Sequence, residues 1–399
     1  MYRYRVLLFI ETTNHFGRTI VEGINHYALE HNWLISFEQR GRFDPIKQQP
    51  NFLQADGIIS RTFLRDSQDA LVQLGLPMVE LVGAFGPQLP IEVTMDEDLQ
   101  TRMVFDHFYE RGLRHFAFFN VEDAPVMTNR KNAFLNLVAE RGFPCHTCFF
   151  PLRESNYAMP QWREEYREPL RQWLLSLPKP IGLYAGIDAH AKIILELCSE
   201  LEIPVPRHIS VVGVENDEWF CRIQHPTLSS VDTAGYTIGY RAAELLEAKM
   251  NGTYQKQPTV LVPPSFLAIR ESSDFYAVDN EDILDALSFI RENACNRINT
   301  NDVVEAIGIS RRSLYRGFER YLHRTPQDEI MRIQIETAKI LLRETNILVT
   351  SIAARAGFTT PEYFVRAFRR ETGMTPNQYR KQSLYGVAND DSDPGQEST

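Results

Sequence analysis

The chain has 399 residues, 43% hydrophobic and 24% charged, which is enough apolar material for more than one core and too ordinary a composition for a disordered or fibrous protein. Five scattered cysteines do not suggest a secreted disulfide framework, and no apolar run reaches the roughly 20 residues of a membrane span. With no signal-peptide cleavage pattern near residue 1, the expectation is a reduced, cytoplasmic chain with no membrane partner.

The formal net charge of −10 disfavours nucleic acid until it is divided along the sequence. Residues 1–280 carry 26 Lys+Arg against 35 Asp+Glu, whereas residues 281–385 carry 16 against 13, and the remaining tail is acidic. A local basic segment is what phosphate contact requires, whatever the whole-chain charge.

From residue 4 to about 270, short β-branched or aromatic runs alternate with amphipathic stretches of helical length. The predicted strands cover 4–10, 33–39, 55–60, 77–83, 92–96, 115–120, 146–150, 181–187, 209–214 and 228–233. Predicted helices over 18–30, 99–111, 130–141, 189–201 and 236–250 place apolar residues three and four apart. This rhythm predicts an α/β architecture of parallel sheets flanked by helices, and ten strands for one open sheet would be many, so residues 1–270 are expected to form two lobes.

Ligands of open α/β sheets bind beyond the carboxyl ends of the strands. Those positions are polar here: Glu11, Thr12, Thr13 and Arg18, then Gln39 and Arg40, Asn120, Asp188, and the Glu215, Asn216, Asp217 cluster. Carboxylates, amides and guanidinium groups can pair with vicinal hydroxyls, because a sugar OH both donates and accepts; for any one of them, capping a helix is the competing role. His190 and Trp219 could stack on a sugar face or simply pack. Cys145 and Cys148 form a C-x-x-C without the second pair that a zinc site would need. Neither a phosphate-binding glycine loop, a nucleophile elbow nor an H-E-x-x-H motif occurs, so no enzyme, cofactor or metal is predicted.

Residues 271–282 are polar and acidic and read as a linker, residues 283–382 read as helices throughout, and residues 383–399 read as a disordered acidic tail. Within the helical region one pattern occurs twice, about fifty residues apart. Each copy has a short helix ending at a glycine (Gly308, Gly357), a hydroxyl N-cap (Ser310; Thr359 or Thr360), a helix with one apolar side, and a Thr-Pro pair opening the next helix (Thr325 and Pro326; Thr375 and Pro376). The apolar sides are Leu314, Phe318 and Tyr321 in the first copy and Phe364 and Phe368 in the second.

A helix, a tight turn and a second helix with a polar outward face is the geometry that enters a DNA major groove. The outward positions are Arg311, Arg312, Tyr315 and Arg316 on the first such helix, and Glu362, Tyr363, Arg366 and Arg369 on the second. Arg suits bidentate contact with guanine, Glu can accept from cytosine, and Ser310 and Thr360 at the helix starts suit phosphates. A single copy could be an ordinary solvated helical surface; duplication argues against that. Gly317 sits inside the first recognition helix, where it costs about 1 kcal/mol relative to alanine, and marks either a locally softer helix or a close backbone approach.

These residues resemble the AraC-type DNA-binding domain, two helix-turn-helix units joined by a long helix, here predicted over 327–343. Gly357, Phe358, Phe364, Phe368, Gly373, Pro376 and Tyr379 fit its second-unit pattern. The resemblance implies that Arg312, Tyr315 and Arg316 make most base contacts, with Glu362 and Arg366 contributing. Residues 4–270 resemble the periplasmic-binding-protein-like sensor of LacI-type regulators, through residues 93–119, 129–134, 186–217 and 225–246. That resemblance implies Arg130, Asp188 and Asn216 as sugar ligands; Arg18, opening the first helix after a strand end, is a further ligand candidate by position. LacI-type proteins carry DNA-binding helices ahead of the sensor, whereas here the DNA-binding domain follows it. The sensor-then-AraC order at this length is similar to the xylose operon regulators. It implies a homodimer acting on operator DNA, D-xylose or a related monosaccharide as effector, and RNA polymerase as a further partner. A ligand-independent DNA binder and a sensor of a non-sugar metabolite are the alternatives.

Overall fold

The computed structural model describes residues 2–37, 54–82, 91–121, 125–150, 159–254 and 259–385. The chain divides into two compact units, residues 1–277 and 278–399. Among the described residues, no helix is long and apolar enough to cross a membrane.

The first unit contains two six-stranded sheets. One is built from β1 (Tyr4–Ile10), β2 (Trp33–Phe37), β3 (Gly57–Arg61), β4 (Met78–Leu81), β5 (Glu92–Met95) and β11 (Val260–Val262), in the order β11-β5-β4-β3-β1-β2, all parallel. The other uses β6 (Phe116–Asn120), β7 (Cys145–Phe149), β8 (Ile181–Ala185), β9 (Ile209–Val214), β10 (Ser229–Asp232) and β12 (Phe266–Ala268), in the order β12-β10-β9-β8-β6-β7. Only β12 in that sheet runs antiparallel, against β10. Strands β3, β6, β8 and β9 are buried at every residue, as parallel strands covered on both faces must be.

Helices α1 (His15–Glu30) and α8 (Gly235–Met250) pack together on the first sheet, where Ile20, Ile24, Ile238 and Leu246 join the strand residues in one core. Around the second sheet lie α3 (Glu97–Glu110), α4 (Pro125–Glu140), α5 (Met159–Ser176) and α6 (Asp188–Glu200). The expected two-lobed α/β sensor and its ten strands are present. Strands β11 and β12, three residues each, and helices α2 (Arg65–Val72), α5 and α7 (Glu218–Arg222) were not anticipated, the shorter ones because so few residues carry no period. Within the expected 271–282 linker, Ser272 and Ser273 are fully buried in the sensor, so its first residues belong to the fold.

The second unit is all helical: α9 (Glu281–Asn293), a 3-10 turn (Ala294–Asn296), α10 (Thr300–Ile307), α11 (Arg311–Leu322), α12 (Pro326–Glu344), α13 (Val349–Arg355), α14 (Pro361–Thr372) and α15 (Pro376–Tyr385). Gly308 (φ 76°) and Gly357 (φ 87°) supply the left-handed residue before each recognition helix. The expected caps form: Ser310 accepts from the Ser313 N–H, Thr360 from Tyr363, and Thr325 builds a capping box with Asp328. In α11 it is Leu322 that is buried beside Leu314 and Phe318, while the expected Tyr321 is half-buried. Buried Gln334 of α12 donates to the carbonyls of Ala294 (2.8 Å) and Gly357 (3.4 Å), tying the central helix to both halves.

Gly317 is explained by packing. A Cβ there would lie 2.2 Å from Cδ1 and 2.6 Å from Cγ1 of buried Ile283 on α9. Gly317→Ala therefore gains about 1 kcal/mol of helix propensity but loses about 1–3 kcal/mol to overpacking, and denaturant unfolding should show a net loss. Adding Ile283→Ala should recover part of that loss; a more stable single variant would refute the packing account.

Candidate functional site

The two lobes of the first unit face each other across a narrow cleft that is partly open to solvent. The first lobe contributes Phe16 from α1, Arg61 at the end of β3, Val82 after β4 and Met95 at the end of β5. The second contributes Val126, Met127 and Arg130 of α4, Ile187 after β8, Val214 and Glu215 at the end of β9, and Thr233 after β10. Strand ends thus converge on the cleft from both sheets, as open α/β sheets lead one to expect. The backbone is strained there: Val82, Glu215 and Asn216 have φ of 64°, 105° and 47°. Such residues cost of order 1–3 kcal/mol each and cluster at binding sites.

Arg130 lines the cleft, yet its guanidinium is largely engaged. Nε and Nη2 each donate to Glu97 at 2.9 Å, Nη1 donates to the Gly186 carbonyl, and Nη2 reaches Met95 Sδ at 3.8 Å. The side chain is 1% exposed. Burial works to lower its pKa, but the Glu97 charge and hydrogen bonds outweigh burial, and the group is held charged.

Asp188 does not line the cleft. It opens α6 behind it, 3% exposed, with Oδ1 accepting from Ser230 Oγ (2.5 Å) and Oδ2 from the Asp217 N–H (3.2 Å) and Cys221 Sγ (3.3 Å). Asn216 is likewise turned into the protein: its N–H donates to Ser230 Oγ (3.0 Å), Nδ2 to Asp232 (3.5 Å), and Oδ1 accepts from Arg270 (2.8 Å). The residue beside it, Glu215, is the one that lines the cleft. Arg18 lies at the rim, half in solvent, donating to the Thr12 and Thr13 carbonyls (3.2 Å each) and pairing with Asp217 of the other lobe at 3.6 Å. Asn14 reaches across to Glu215 at 3.4 Å, a second polar bridge between lobes.

Of the other strand-end candidates, Glu11 lies 3.6 Å from Arg61 and accepts from Thr13, Asn120 is buried at the end of β6, and Gln39 and Arg40 fall outside the described residues. His190 is buried edge-on to Phe119 and Trp219 is 70% exposed on α7; neither lines the cleft. Cys145 and Cys148 lie on β7, and burial pushes both thiols up to about 12, so they stay protonated. Among the described residues no cluster suited to a metal ion occurs.

The residue that sequence reasoning missed is Arg61, 8% exposed, its guanidinium 4.8 Å over Phe16 and 4.9 Å over Phe63. Its signal was available: it directly follows the 55–60 run, at a strand's carboxyl end.

In the second unit, α10 with α11 and α13 with α14 form the two helix-turn-helix pairs. Arg311, Arg312 and Arg316 are exposed on α11 and Tyr315 is half-buried. Arg311 is drawn back to Asn301 Oδ1 (3.4 Å) and stacks 5.5 Å from the Tyr315 ring centre, and its hydrogen bond lowers the Tyr315 pKa. Arg312 and Arg316 form no ion pair among the described residues. On α14, Glu362, Tyr363, Arg366 and Arg369 are exposed, while Phe364 and Phe368 join Phe358 and Tyr379 in an aromatic chain with centres 5.0–5.5 Å apart.

Two buried carboxyls give the sensor a pH signature. Burial pushes Asp188 up to about 8 and Glu80 on β4 up to about 8, against hydrogen bonds that favour the charged form. A folded pKa above the unfolded one stabilises fully below about pH 4, and that stabilisation is lost as pH rises through about 8. Asp188→Asn and Glu80→Gln should each flatten the decline of unfolding free energy between pH 4 and 8; slopes unchanged from the parent would show that these groups do not hold their protons.

Residues 105–273 match the periplasmic binding protein-like domain family, and residues 303–382 match a helix-turn-helix domain family. The xylose operon regulatory protein of Haemophilus influenzae is 30% identical over 393 residues, covering 94% of this chain and 98% of that protein. Its counterpart in Escherichia coli strain K12 is 29% identical over 389 residues, covering 95% and 97%. The solved structure of a xylose-binding transcription activator superposes with a TM-score of 0.60 at 28% identity, covering 96% of this chain and 99% of that one. A periplasmic-binding-protein-like sensor followed by paired helix-turn-helix units, matched end to end by these relatives, places the chain in the xylose operon regulatory protein family of DNA-binding transcription regulators.

Proposed function

We propose that this regulator's operator binding is switched by a neutral monosaccharide, D-xylose or a close relative, held between the lobes of its first unit. The lining of the cleft carries this reading. Arg61 faces Glu11, Arg130 is neutralised by Glu97, and Glu215 adds an acceptor, so the site has hydrogen-bonding groups without an excess of positive charge. A sugar phosphate or sugar acid would want that excess; a polyol does not. The relatives' xylose supplies the identity.

In this reading Arg61, Glu215 and the remaining Nη1–H of Arg130 contact sugar hydroxyls, Phe16 covers an apolar ring face, and Arg18 and Asn14 close the mouth through Asp217 and Glu215. Asp188 and Asn216 serve from behind, fixing the β9 end that presents Glu215. On DNA, Arg312 and Arg316 read bases, with Tyr315 beside them; Ser310 and the tethered Arg311 hold phosphates, and Thr360, Glu362 and Arg366 form the second reading head. A cytoplasmic homodimer would bring these heads to two half-sites near RNA polymerase, and the sugar acts through unequal affinity for the arrangements competent and incompetent to bind operator.

D-xylose at 100 times its Kd should stabilise the folded chain by about 2.7 kcal/mol in thermal unfolding. D-xylonate or D-xylose 5-phosphate stabilising more strongly would overturn the neutral-sugar reading, and no stabilisation by any sugar would remove the sensor. For the reader, Arg312→Ala should cost about 1–3 kcal/mol of operator affinity and relax base preference at one position. Uniform weakening on all sequences would make Arg312 a phosphate contact.

A further inference from the structure

Behind the cleft, a chain of hydrogen bonds leads from Asn216 to the residues by which the polypeptide leaves the sensor. Arg270, two residues past β12, donates through Nη2 to Asn216 Oδ1 (2.8 Å) and through Nη1 to the Leu228 carbonyl (2.7 Å). Its backbone N–H donates to Ser229 Oγ (2.7 Å), and Ser229 Oγ donates back to its carbonyl (2.9 Å). Ser273 Oγ donates to Ser229 Oγ (2.8 Å) and accepts from His107 Nε2 of α3 (2.8 Å). Ser272 Oγ donates to the Val211 carbonyl of β9 (2.6 Å) and accepts from the Ser229 N–H (2.9 Å). Ser229, Ser272 and Ser273 are fully buried, so the bonds among them and those to Val211 and His107 are made out of water, where a broken member is costly, while Arg270 itself is half-buried.

Helix α3 reaches the same segment from the other side. Its first residue, Glu97, holds the cleft arginine Arg130. At 1.5 Å per residue, His107 grips Ser273 about 15 Å further on, and about 20 Å on the Arg111 carbonyl accepts from the Ala277 N–H (2.8 Å) and the Arg111 guanidinium lies 5.6 Å over buried Tyr276. The cleft-lining Glu215 adjoins Asn216, and Ala277 is the last residue of the first unit. The cleft is therefore joined to residues 272–277 twice, once through Asn216 and Arg270 and once through Glu97 and α3.

From this arrangement we infer that residues 272–277 are the output of the sensor and that Arg270 and Ser273 are its positioning residues, setting the exit segment according to the state of the cleft. The inference rests on the sugar-sensing reading. A sugar that moves the β9 end shifts Asn216 with it; Arg270 follows because Asn216, the Leu228 carbonyl and Ser229 hold it at three points, buried Ser229 carries Ser272 and Ser273, and the exit segment moves as the chain enters the DNA-binding unit. Coupling of this kind is a free energy measured between two ligands, and it can be lost without loss of either binding event.

The test uses the full chain and D-xylose. Operator affinity is measured with and without the sugar for the parent, Arg270→Gln, Arg270→Lys and Ser273→Ala, alongside sugar affinity in the absence of DNA. In Arg270→Gln and Ser273→Ala the sugar-dependent change in operator affinity should fall at least about fivefold, with operator affinity without sugar and D-xylose affinity within about threefold of the parent. Arg270→Lys should keep part of the response, which mere destabilisation would not produce. Should any variant fail to fold, hydrogen exchange on the parent decides: D-xylose should change protection at residues 272–277 and in the last turn of α3, and an unchanged pattern there overturns the inference. A parent response that survives both Arg270→Gln and Ser273→Ala overturns the inference alone. A parent chain unmoved by D-xylose overturns both it and the reading beneath it.

Discussion

Arg130 and Glu97 form a bidentate ion pair that water scarcely reaches, and the geometry of the sensor turns on it. Removing one partner of such a pair typically costs about 3–5 kcal/mol, while replacing both with apolar side chains is often neutral. Stability alone therefore does not account for a charged pair here. Position does: the guanidinium touches Met95 at the end of β5, Glu97 at the start of α3 and the Gly186 carbonyl after β8. Met95 and Glu97 bracket the point where the chain first leaves one sheet for the other. A hydrophobic substitute could fill the volume but could not fix three backbone elements at donor-acceptor distance.

The chain makes three such crossings, after β5, after β10 and after β11. Because each lobe borrows a strand from late in the sequence, the first sheet is completed only at residue 262 and the second only at residue 268. Movement of one lobe against the other must bend all three crossings together, which suits a small number of discrete arrangements better than a continuum of them. The bridges Arg18 to Asp217 and Asn14 to Glu215 span the mouth between the lobes, and as partly exposed polar contacts they are weak enough to be exchanged for contacts with a ligand.

Much of this was legible in the sequence because the signals are periodic or chemical. Ten strands and the large helices follow from alternation of apolar runs, and the reading heads from a pattern that repeats with its caps intact. What was not legible depends on where side chains turn once backbones are placed. Asp188 and Asn216 sit at strand ends, as cleft ligands should, but Ser230 and Arg270 supply nearer partners and draw them behind the cleft. Arg61 was equally a strand-end residue, overlooked because nothing in one dimension shows that Phe16 and Phe63 would hold its guanidinium at the cleft. Gly317 could be read as either softness or close approach until Ile283 was seen to occupy the space.

The uneven charge of the two units has a physical consequence for how such a regulator searches DNA. Nonspecific affinity scales with the number of phosphates a protein neutralises, and here basic residues concentrate on α11 and α14, with Arg311, Arg312, Arg316, Arg366 and Arg369 outward. Residues 1–280 hold nine more acidic than basic groups, so the sensor is repelled by the polyanion that the reader approaches. The outward arginines of α11 and α14 are therefore the groups suited to a polyanion, and residues 272–277 are the covalent exit from the acidic unit to the basic one. A narrow covalent exit can carry a binary signal only if it is stiff where it leaves the sensor. That is the property that burial of Ser272, Ser273 and Tyr276 gives it.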